Sequence, residues 1–288
     1  MKTVDRAARL VAVLASLLLF TFSASAEGAG KETCIPVRST AREHLAFKAG
    51  ERLNFTVHYK WGIINSDVGK GYFRIDSTAY KGHPVYHCSA GGRSAQFYDV
   101  FFKVREDFQS WMTMDDLKPV KFYRDTYEGG YTARNTYSFD WTPGRERIHA
   151  AITTSKRGSY SKRIPLDDCT LDLPSLICNL RNIDYMRIRE GGRYPMTLAV
   201  NDSSYNLHFI YLGKEDRRLK IGTVRCNKFS VQVVAGEVFS GDADMYLWLS
   251  DDDNRLPIWF VAPIRYGEVQ GRLTGYSGLK HPFNALVK

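Results

Sequence analysis

The chain has 288 residues, of which 44% are hydrophobic and 13% aromatic, and its formal net charge is +9 at pH 7. This length is enough to bury a core as one large β domain or two small ones. The positive charge suits attraction to anionic lipids or glycans, and it also suits plain solubility. No pattern of a nucleic-acid-binding module occurs, so we do not expect a nucleic-acid partner.

Residues 1–26 have the pattern of a secretory signal peptide. A basic start (MKTVDRAAR) precedes an apolar run at residues 10–20, and Ala24 and Ala26 supply an A-x-A cleavage site. The run is too short to serve as a membrane anchor, and no later stretch is apolar for long enough to span a membrane. No cysteine follows the cleavage site in a lipobox context. The sequence therefore predicts Sec export to the periplasm or another extracytoplasmic space, without lipidation and without a transmembrane helix in the mature chain.

All five cysteines follow the predicted cleavage site: Cys34, Cys88, Cys169, Cys178 and Cys226. Export permits disulfides, and an odd count leaves at least one thiol unpaired within a monomer. Cys169 with Cys178 is one candidate pair and Cys88 with Cys226 is another, but the spacing leaves the pairing undetermined. There is no C-x-x-C motif, so we expect neither a redox centre nor a zinc site, and no cofactor or metal is predicted.

Most of the mature chain has the pattern of short β-strands. Residues 27–50 are polar and are predicted to be an irregular leader. From Glu51 onwards apolar and polar residues alternate, as in "ERLNFTVHYKW", which is the period of a half-buried strand. Further strand patterns are separated by turn residues such as Lys81–Gly82, "EGG" and "TPGR". The spacing predicts one β-rich domain over residues 51–288, built as an antiparallel barrel or sandwich.

One segment has helical periodicity instead. Asp172 is placed to cap a helix, and Pro174 suits its first turn, where a missing N–H costs nothing. The pattern predicts a long helix from Asp172 to Arg187. Its apolar residues, at three- and four-residue steps, are Leu173, Leu176, Ile177, Leu180 and Ile183.

A late pair of strand patterns, at residues 245–249 and 256–264, is apolar on both faces. A strand of this kind has to be covered on both faces. The helix can provide one cover. The other is either a second sheet or a bound apolar ligand.

The order of several motifs resembles a known family. The motifs are "GERLNFTVHYKWG", "FYDVFFKVREDFQSW", "LKPVKFYRDTYEGGY", "DLPSLICNLRNIDY" and "DMYLWLSDDDNRLPIWFVAPIRYGEVQGRL", between about Gly50 and Leu279. Together they resemble the Bacteroidetes-type members of domain-of-unknown-function family 3108, which are exported proteins of unestablished activity. More distantly the chain is similar to LolA/LolB-like half-barrels, in which a curved antiparallel sheet wraps helices around a cavity that receives acyl chains.

These resemblances imply a mainly β fold. They imply a curved antiparallel sheet, half-barrel or barrel-like, that wraps one long helix and short helical segments. They supply no reaction and no catalytic residues.

The aromatic stretch at residues 94–108 is the first candidate site. We predict a short helical or turn segment near residues 96–103 that runs into a strand from Val104. Its aromatic side chains either plug the concave side of the sheet, or line a cavity for an apolar ligand, or contact a membrane, where Lys103 and Arg105 would suit an anionic headgroup. The ligand-binding candidates of the whole chain, with core packing as the alternative, are Phe97, Phe101, Phe102, Trp111, Trp248 and Trp259.

A basic segment is the second candidate site. "SKRGSYSKR" is predicted to form an exposed hairpin that is either only solvated or docks an anionic lipid or an envelope protein. Its charged residues form a basic rim: Lys156, Arg157, Lys162 and Arg163. The turn "SDDDNR" lacks the glycine and the later glutamate of an EF-hand loop, and is predicted to be a hydrophilic hairpin tip.

No catalytic motif is present. The chain contains no G-x-S-x-G, no H-E-x-x-H, no Walker loop and no dinucleotide glycine pattern. A triad assembled in space from distant residues stays open, because geometry and not sequence order defines it. The sequence predicts an exported envelope protein that binds an apolar or amphiphilic ligand such as a lipid in a sheet–helix cavity. The alternatives are a structural or assembly factor that acts through its surface, and an enzyme acting on glycans or lipids.

Overall fold

The structure is a computed structural model that describes residues 34–37, 40, 42–231, 244–264 and 267–287. The predicted signal peptide lies outside these residues, as does the first part of the predicted leader. The first half of the described chain forms β1 (Glu51–Trp61), β2 (Ile64–Tyr80), β3 (His83–Ser94), α1 (Gln96–Asp99), β4 (Val104–Thr113), β5 (Pro119–Glu128), β6 (Tyr131–Asp140), β7 (Arg147–Thr154) and β8 (Gly158–Pro165).

The second half also consists mainly of strands, and one helix interrupts them. A short 3₁₀ turn (Arg42–His44) lies before β1 in the sequence. The elements of the second half are β9 (Thr170–Leu171), α2 (Leu173–Arg181), β10 (Arg193–Val200), β11 (Ser203–Leu219), β12 (Gly222–Val231), β13 (Met245–Ser250), β14 (Pro257–Pro263), β15 (Glu268–Ser277) and β16 (Leu286–Val287).

The strands belong to one curved, unclosed sheet. Its order is β8-β7-β6-β5-β4-β3-β2-β1-β15-β14-β13-β12-β11-β10-β9, and β16 adds to β12. Neighbours are antiparallel except for the short β9–β10 pair. The predicted mainly β, antiparallel and barrel-like architecture is confirmed. Pairing of β1 with β15 joins the first and last thirds of the chain at the middle of the sheet.

The two edges of the sheet, near β8 and near β9, approach each other and are joined by side chains. Arg157 and Lys162 of the β7–β8 hairpin lie 3.4 and 3.6 Å from Asp202, in the turn between β10 and β11. Arg124 of β5 donates to Asn201 Oδ1 in the same turn at 2.8 Å. We call these five residues the seam.

The predicted β2–β3 hairpin is confirmed. Lys81 and Gly82 have φ angles of 52° and 82°, and Tyr80 pairs directly with His83. Two successive residues with positive φ form the kind of turn whose twist matches that of the flanking strands. Glycine meets this requirement without strain, which is why Lys81–Gly82 marks the turn in the sequence.

The helix begins where the sequence predicts and ends earlier. Asp172 caps it, accepting the Ser175 N–H at 2.9 Å, and the Ser175 hydroxyl accepts the Asp172 N–H in return. The prediction to Arg187 is wrong, because α2 ends at Arg181. Asn182 ends it by donating its side-chain amide to the Cys178 carbonyl and accepting the Ala46 N–H. Ile183 is buried by pairing with the N-terminal segment and not by a further helical turn.

The short helix packs directly onto the sheet. Asp172 accepts a hydrogen bond from Ser110 of β4 at 2.7 Å. Arg181 forms a fully buried ion pair with Glu51 of β1 at 2.5 Å. These contacts, together with apolar packing on both sides of α2, occupy the space between helix and sheet in which we expected a ligand cavity.

The described part of the predicted leader is irregular but belongs to the core. Leu45 and Phe47 are fully buried against the sheet. Cys34 forms a disulfide with Cys169. The two cysteine pairs suggested by spacing are therefore wrong, since Cys169 is bonded to Cys34, and Cys88, Cys178 and Cys226 are buried free thiols.

No described helix combines the length and the apolar character that crossing a membrane requires.

Candidate functional site

At one end of the strands, part of β2 projects beyond its neighbour β3, and helix α1 lies beside this projection. Because the strands alternate in direction, the β1–β2, β3–β4, β5–β6 and β7–β8 connections all lie at this end. The last residue of β3 pairs with Gly69, so residues 64–68 of β2 project beyond β3. Helix α1 lies beside the projection, with the Ala95 N–H donating to Val68 O at 2.8 Å.

Four large apolar side chains at this end face solvent. Ile63, at the tip of the β1–β2 hairpin, is fully exposed, and Phe97, Val100 and Phe101 are 71%, 84% and 54% exposed. The rings of Phe97 and Phe101 contact each other at 5.9 Å between centroids. We call these four residues the apolar rim. Clustered exposed apolar side chains are typical of interaction surfaces.

Helix α1 is held by tertiary contacts, since four residues are too few for a stable isolated helix. The Tyr98 hydroxyl bonds to the Ser66 hydroxyl at 2.7 Å. Arg105 donates to Asp99 at 3.0 and 2.5 Å. Hydrogen bonds from Arg105 and then Ser94 lower the pKa of the Asp99 carboxyl to about 2. The rim is therefore presented by an anchored element.

The predicted helical turn and the strand from Val104 are confirmed, but the alternative in which Phe97 and Phe101 plug the concave side of the sheet is wrong. Both side chains point outward, whereas Phe102 is buried over Gly129, where an added Cβ would lie 2.0 Å from the ring. Tyr98 and Phe102 form the inward pair of this segment. The two pairs share the same four-residue spacing, so spacing alone does not decide which one faces the sheet.

Three lysines surround the rim end of the sheet. Lys60, Lys103 and Lys156 are exposed, and they make no ion pair with any residue in the described parts of the chain. Lys103 and Lys156 lie 5.4 and 5.6 Å from the ring centroids of Tyr127 and Tyr131. Arg105 is engaged by Asp99, so Lys103 is the cation next to α1 that is available to a ligand.

The predicted basic hairpin exists, but its four residues have different roles. Thr154 pairs with Gly158 around an exposed turn, which confirms the hairpin. Arg157 and Lys162 belong to the seam, while Lys156 and Arg163 are exposed.

Trp111 lies in β4, away from the rim. Its ring stacks on His87 of the neighbouring strand at 4.6 Å, and the ammonium of Lys121 lies 4.2 Å from its centroid. These partners cover it within the surface of the sheet.

Trp248 and Trp259 are direct cross-strand partners on β13 and β14. The guanidinium of Arg217 lies 4.5 and 4.0 Å from the two ring centroids, and Arg272 lies 4.7 Å from Trp259. We expected this hairpin to be covered on both faces. On the face that carries the two tryptophans, the cover consists of cationic side chains stacked on the rings, and not of a second sheet. The opposite face packs against a cluster that includes α2 residues.

An internal carboxyl near the seam has no counterpart in the sequence analysis. Burial, and then a hydrogen bond with Glu128, raise the pKa of Glu106 to about 9, against the opposing effect of Arg124. Arg124 Nε lies 3.9 Å from Glu106 and donates to Thr126 and Asn201, so it stabilises the carboxylate only weakly. Burial therefore favours the neutral form of the Glu106 carboxyl. The signal in the sequence is that Glu106 shares the alternation of Ser110 and Met112, which face the core.

An open depression of about 460 Å³ lies near the turn of the β2–β3 hairpin, at the end of the strands opposite the apolar rim. None of the six predicted ligand-binding residues lines it. Its lining is mostly small, hydroxyl-bearing or apolar: Ala49, Ser77, Thr78, Pro84, Tyr86 and Met114.

Comparison with known proteins places the chain in a family. No curated protein matches the sequence. Among solved structures, the chain is similar to a β-barrel-like protein of the domain of unknown function DUF1849 from Brucella abortus. The identity is 12% and the TM-score 0.50, over 79% of this chain and 96% of that one. That similarity bears on the fold alone. The family model described as "Protein of unknown function (DUF3108)" matches residues 54–274, most of the chain. The chain therefore belongs to the DUF3108 family.

Proposed function

We propose that the protein is an exported envelope protein that binds anionic lipid, at the surface of a bilayer, through the apolar rim. The observation that supports this most is the exposure of Ile63, Phe97, Val100 and Phe101 at one end of the sheet. Export rests on the signal-peptide pattern in residues 1–26. The resemblance to acyl-chain-binding half-barrels adds to the proposal.

We propose the rim as the place of lipid contact because the helix–sheet interface offers little room. Cys178, Leu180 and Arg181 of α2 are all buried against strands. A ligand between helix and sheet would have to displace the Arg181–Glu51 ion pair or the apolar packing around it. A ligand at the rim displaces only water.

The magnitudes favour reversible attachment. Burying the exposed fractions of the four rim side chains is worth roughly 5 to 9 kcal/mol, from about 1.5 to 3 kcal/mol for each fully buried side chain. Association costs a similar amount, on the order of several kcal/mol, in lost translational and rotational freedom. Each lysine near an anionic leaflet contributes about 1 kcal/mol. Lys60, Lys103 and Lys156 thus decide whether the net binding is favourable, and binding weakens as salt screens them.

The test is cosedimentation of the mature protein with vesicles of phosphatidylcholine alone and of phosphatidylcholine with phosphatidylglycerol. We expect binding to the anionic vesicles that decreases with salt. The double variant Phe97→Ser/Phe101→Ser should bind about tenfold or more weakly, because it removes more than 1.4 kcal/mol of apolar burial.

The matched control is Tyr276→Ser/Val287→Ser. These side chains are 37% and 41% exposed and lie at the opposite end of the sheet, so their loss should leave binding unchanged. Failure of the wild-type protein to bind anionic vesicles would contradict the proposal. Equal binding by the rim and control variants would also contradict it. In either case the alternative of an assembly factor that binds other proteins would be favoured.

A further inference from the structure

Two buried thiols face each other between the helix and the sheet. Cys88 lies in β3 and Cys178 in α2, 90 residues apart, and their Sγ atoms are 3.3 Å from each other. Both side chains are fully buried. The third free thiol, Cys226, is also buried, and its Sγ contacts the Val224 carbonyl at 3.3 Å.

The same chain already contains a disulfide, in the segment that leads into α2. Cys34 is bonded to Cys169, which lies three residues before the Asp172 cap of α2. A protein that carries this bond has met a thiol oxidant. The same oxidant reaches Cys88 and Cys178 as long as the helix has not yet packed.

We propose that Cys88 and Cys178 are the site of a second disulfide, which attaches α2 to β3. A disulfide requires the two sulfur atoms to be about 2.0 Å apart, so they have to approach by a little more than 1 Å. A displacement of this size is within the reach of side-chain rotation and small backbone adjustment. Cys226, whose Sγ contacts the Val224 carbonyl, stays a thiol.

The bond forms by exchange with an external disulfide, either a small molecule or a thiol–disulfide oxidoreductase. The thiolate of one cysteine attacks a sulfur of the oxidant, which gives a mixed disulfide and releases one thiol of the oxidant. The thiolate of the second cysteine then attacks the first cysteine's sulfur and releases the other thiol. The protein loses two hydrogens, and the oxidant is reduced to two thiols.

Burial determines when this exchange takes place. Desolvation, and then the neighbouring Cys178 thiol, raise the pKa of the Cys88 thiol well above its usual value. A buried thiol with a raised pKa reacts slowly. Oxidation therefore precedes docking of α2, and reduced protein that has already folded resists the same oxidant.

The test counts thiols in the full chain. Protein refolded from the reduced state in a glutathione redox buffer is denatured with an alkylating reagent, and its intact mass is measured. We expect one alkylated cysteine in the wild type, none in Cys226→Ala, and two in Cys88→Ala, with a Cys88–Cys178 cross-link among the wild-type peptides. Protein folded under reducing conditions and then given the buffer should keep the Cys88 and Cys178 thiols.

Three alkylated cysteines in the refolded wild type, or a cross-link that joins Cys88 or Cys178 to any other cysteine, would overturn the proposal. The wild-type count decides even where a variant does not fold. The result is independent of lipid binding at the rim.

Discussion

The buried ion pair between Arg181 and Glu51 gives the sharpest prediction about stability. Arg181 donates through both terminal nitrogens to the two oxygens of Glu51, at 2.5 and 2.9 Å. It also donates to the carbonyls of Ala46 and Asn254, at 3.2 and 2.9 Å. Both charged side chains are fully buried. The pair links the leader, β1, α2 and the β13–β14 turn.

Glu51→Gln leaves the guanidinium buried without a counter-charge. Removing one partner of such a pair costs about 3–5 kcal/mol, a large fraction of a typical unfolding free energy of about 5–15 kcal/mol. Arg181→Met leaves a buried carboxylate and two unsatisfied carbonyls, at a similar cost. The double variant Glu51→Gln/Arg181→Met contains no buried charge. We expect it to be destabilised by less than Arg181→Met alone, because only the unsatisfied carbonyls remain, and not by the sum of the two single variants.

The assay is urea unfolding followed by tryptophan fluorescence, with unfolding free energies compared at unchanged m-value. The matched control is Asp76→Asn. Asp76 pairs with Arg52 at 2.7 Å, and both side chains are about 40% exposed, so its loss should cost less than about 1 kcal/mol. The reasoning is refuted when Glu51→Gln costs no more than Asp76→Asn. It is equally refuted when the two single-variant energies add in the double variant.

Two further predictions concern buried carboxyls. Asp172→Ala should lower the unfolding free energy, measured by urea unfolding, by about 1–2 kcal/mol more than Asp172→Asn, because asparagine retains the helix cap. Equal losses in the two variants would show that the cap does not contribute to stability. Burial raises the folded-state pKa of Glu106 to about 9, above an unfolded value near 4.5, so the folded protein binds the extra proton between these values. The contribution of Glu106 to stability is therefore complete below about pH 4.5 and declines by up to about 1.4 kcal/mol per pH unit as the pH rises towards 9. Glu106→Gln should flatten the fall of the urea midpoint between about pH 5 and pH 8, and a slope identical to that of the wild type would contradict the assignment.

Local patterns in the sequence predict much of the fold because local physics controls those features. The alternation from Glu51 predicts β1, and Lys81–Gly82 predicts the β2–β3 turn. Asp172 and Pro174 predict where α2 begins. In each case residues within a few positions of one another satisfy the backbone. The end of α2 was missed because Asn182 replaces the next helical turn with a bond to Ala46, which is distant in sequence.

The candidate site is less accessible to sequence reasoning. The aromatic pairs Phe97/Phe101 and Tyr98/Phe102 have identical spacing, and the inward pair is selected by Ser66 on β2 and Gly129 in the β5–β6 turn. The disulfide was missed for a similar reason, since Cys34 and Cys169 are 135 residues apart. Contacts of this range depend on the order of strands in the sheet, which periodicity does not specify.

The seam differs from every other boundary in the curved sheet in the kind of contact that holds it together. Every other boundary between adjacent strands is a ladder of backbone hydrogen bonds, whereas β8 and β9 end the ladder on either side of the seam. There, the ion pairs of Arg157 and Lys162 with Asp202 and the hydrogen bonds that Arg124 and Tyr137 donate to Asn201 provide the connection, and partly exposed ion pairs of this kind contribute about 0–1 kcal/mol each. Separating the sheet along this line breaks side-chain contacts but no backbone hydrogen bond of the ladder, and the ion-pair part of those contacts weakens with ionic strength.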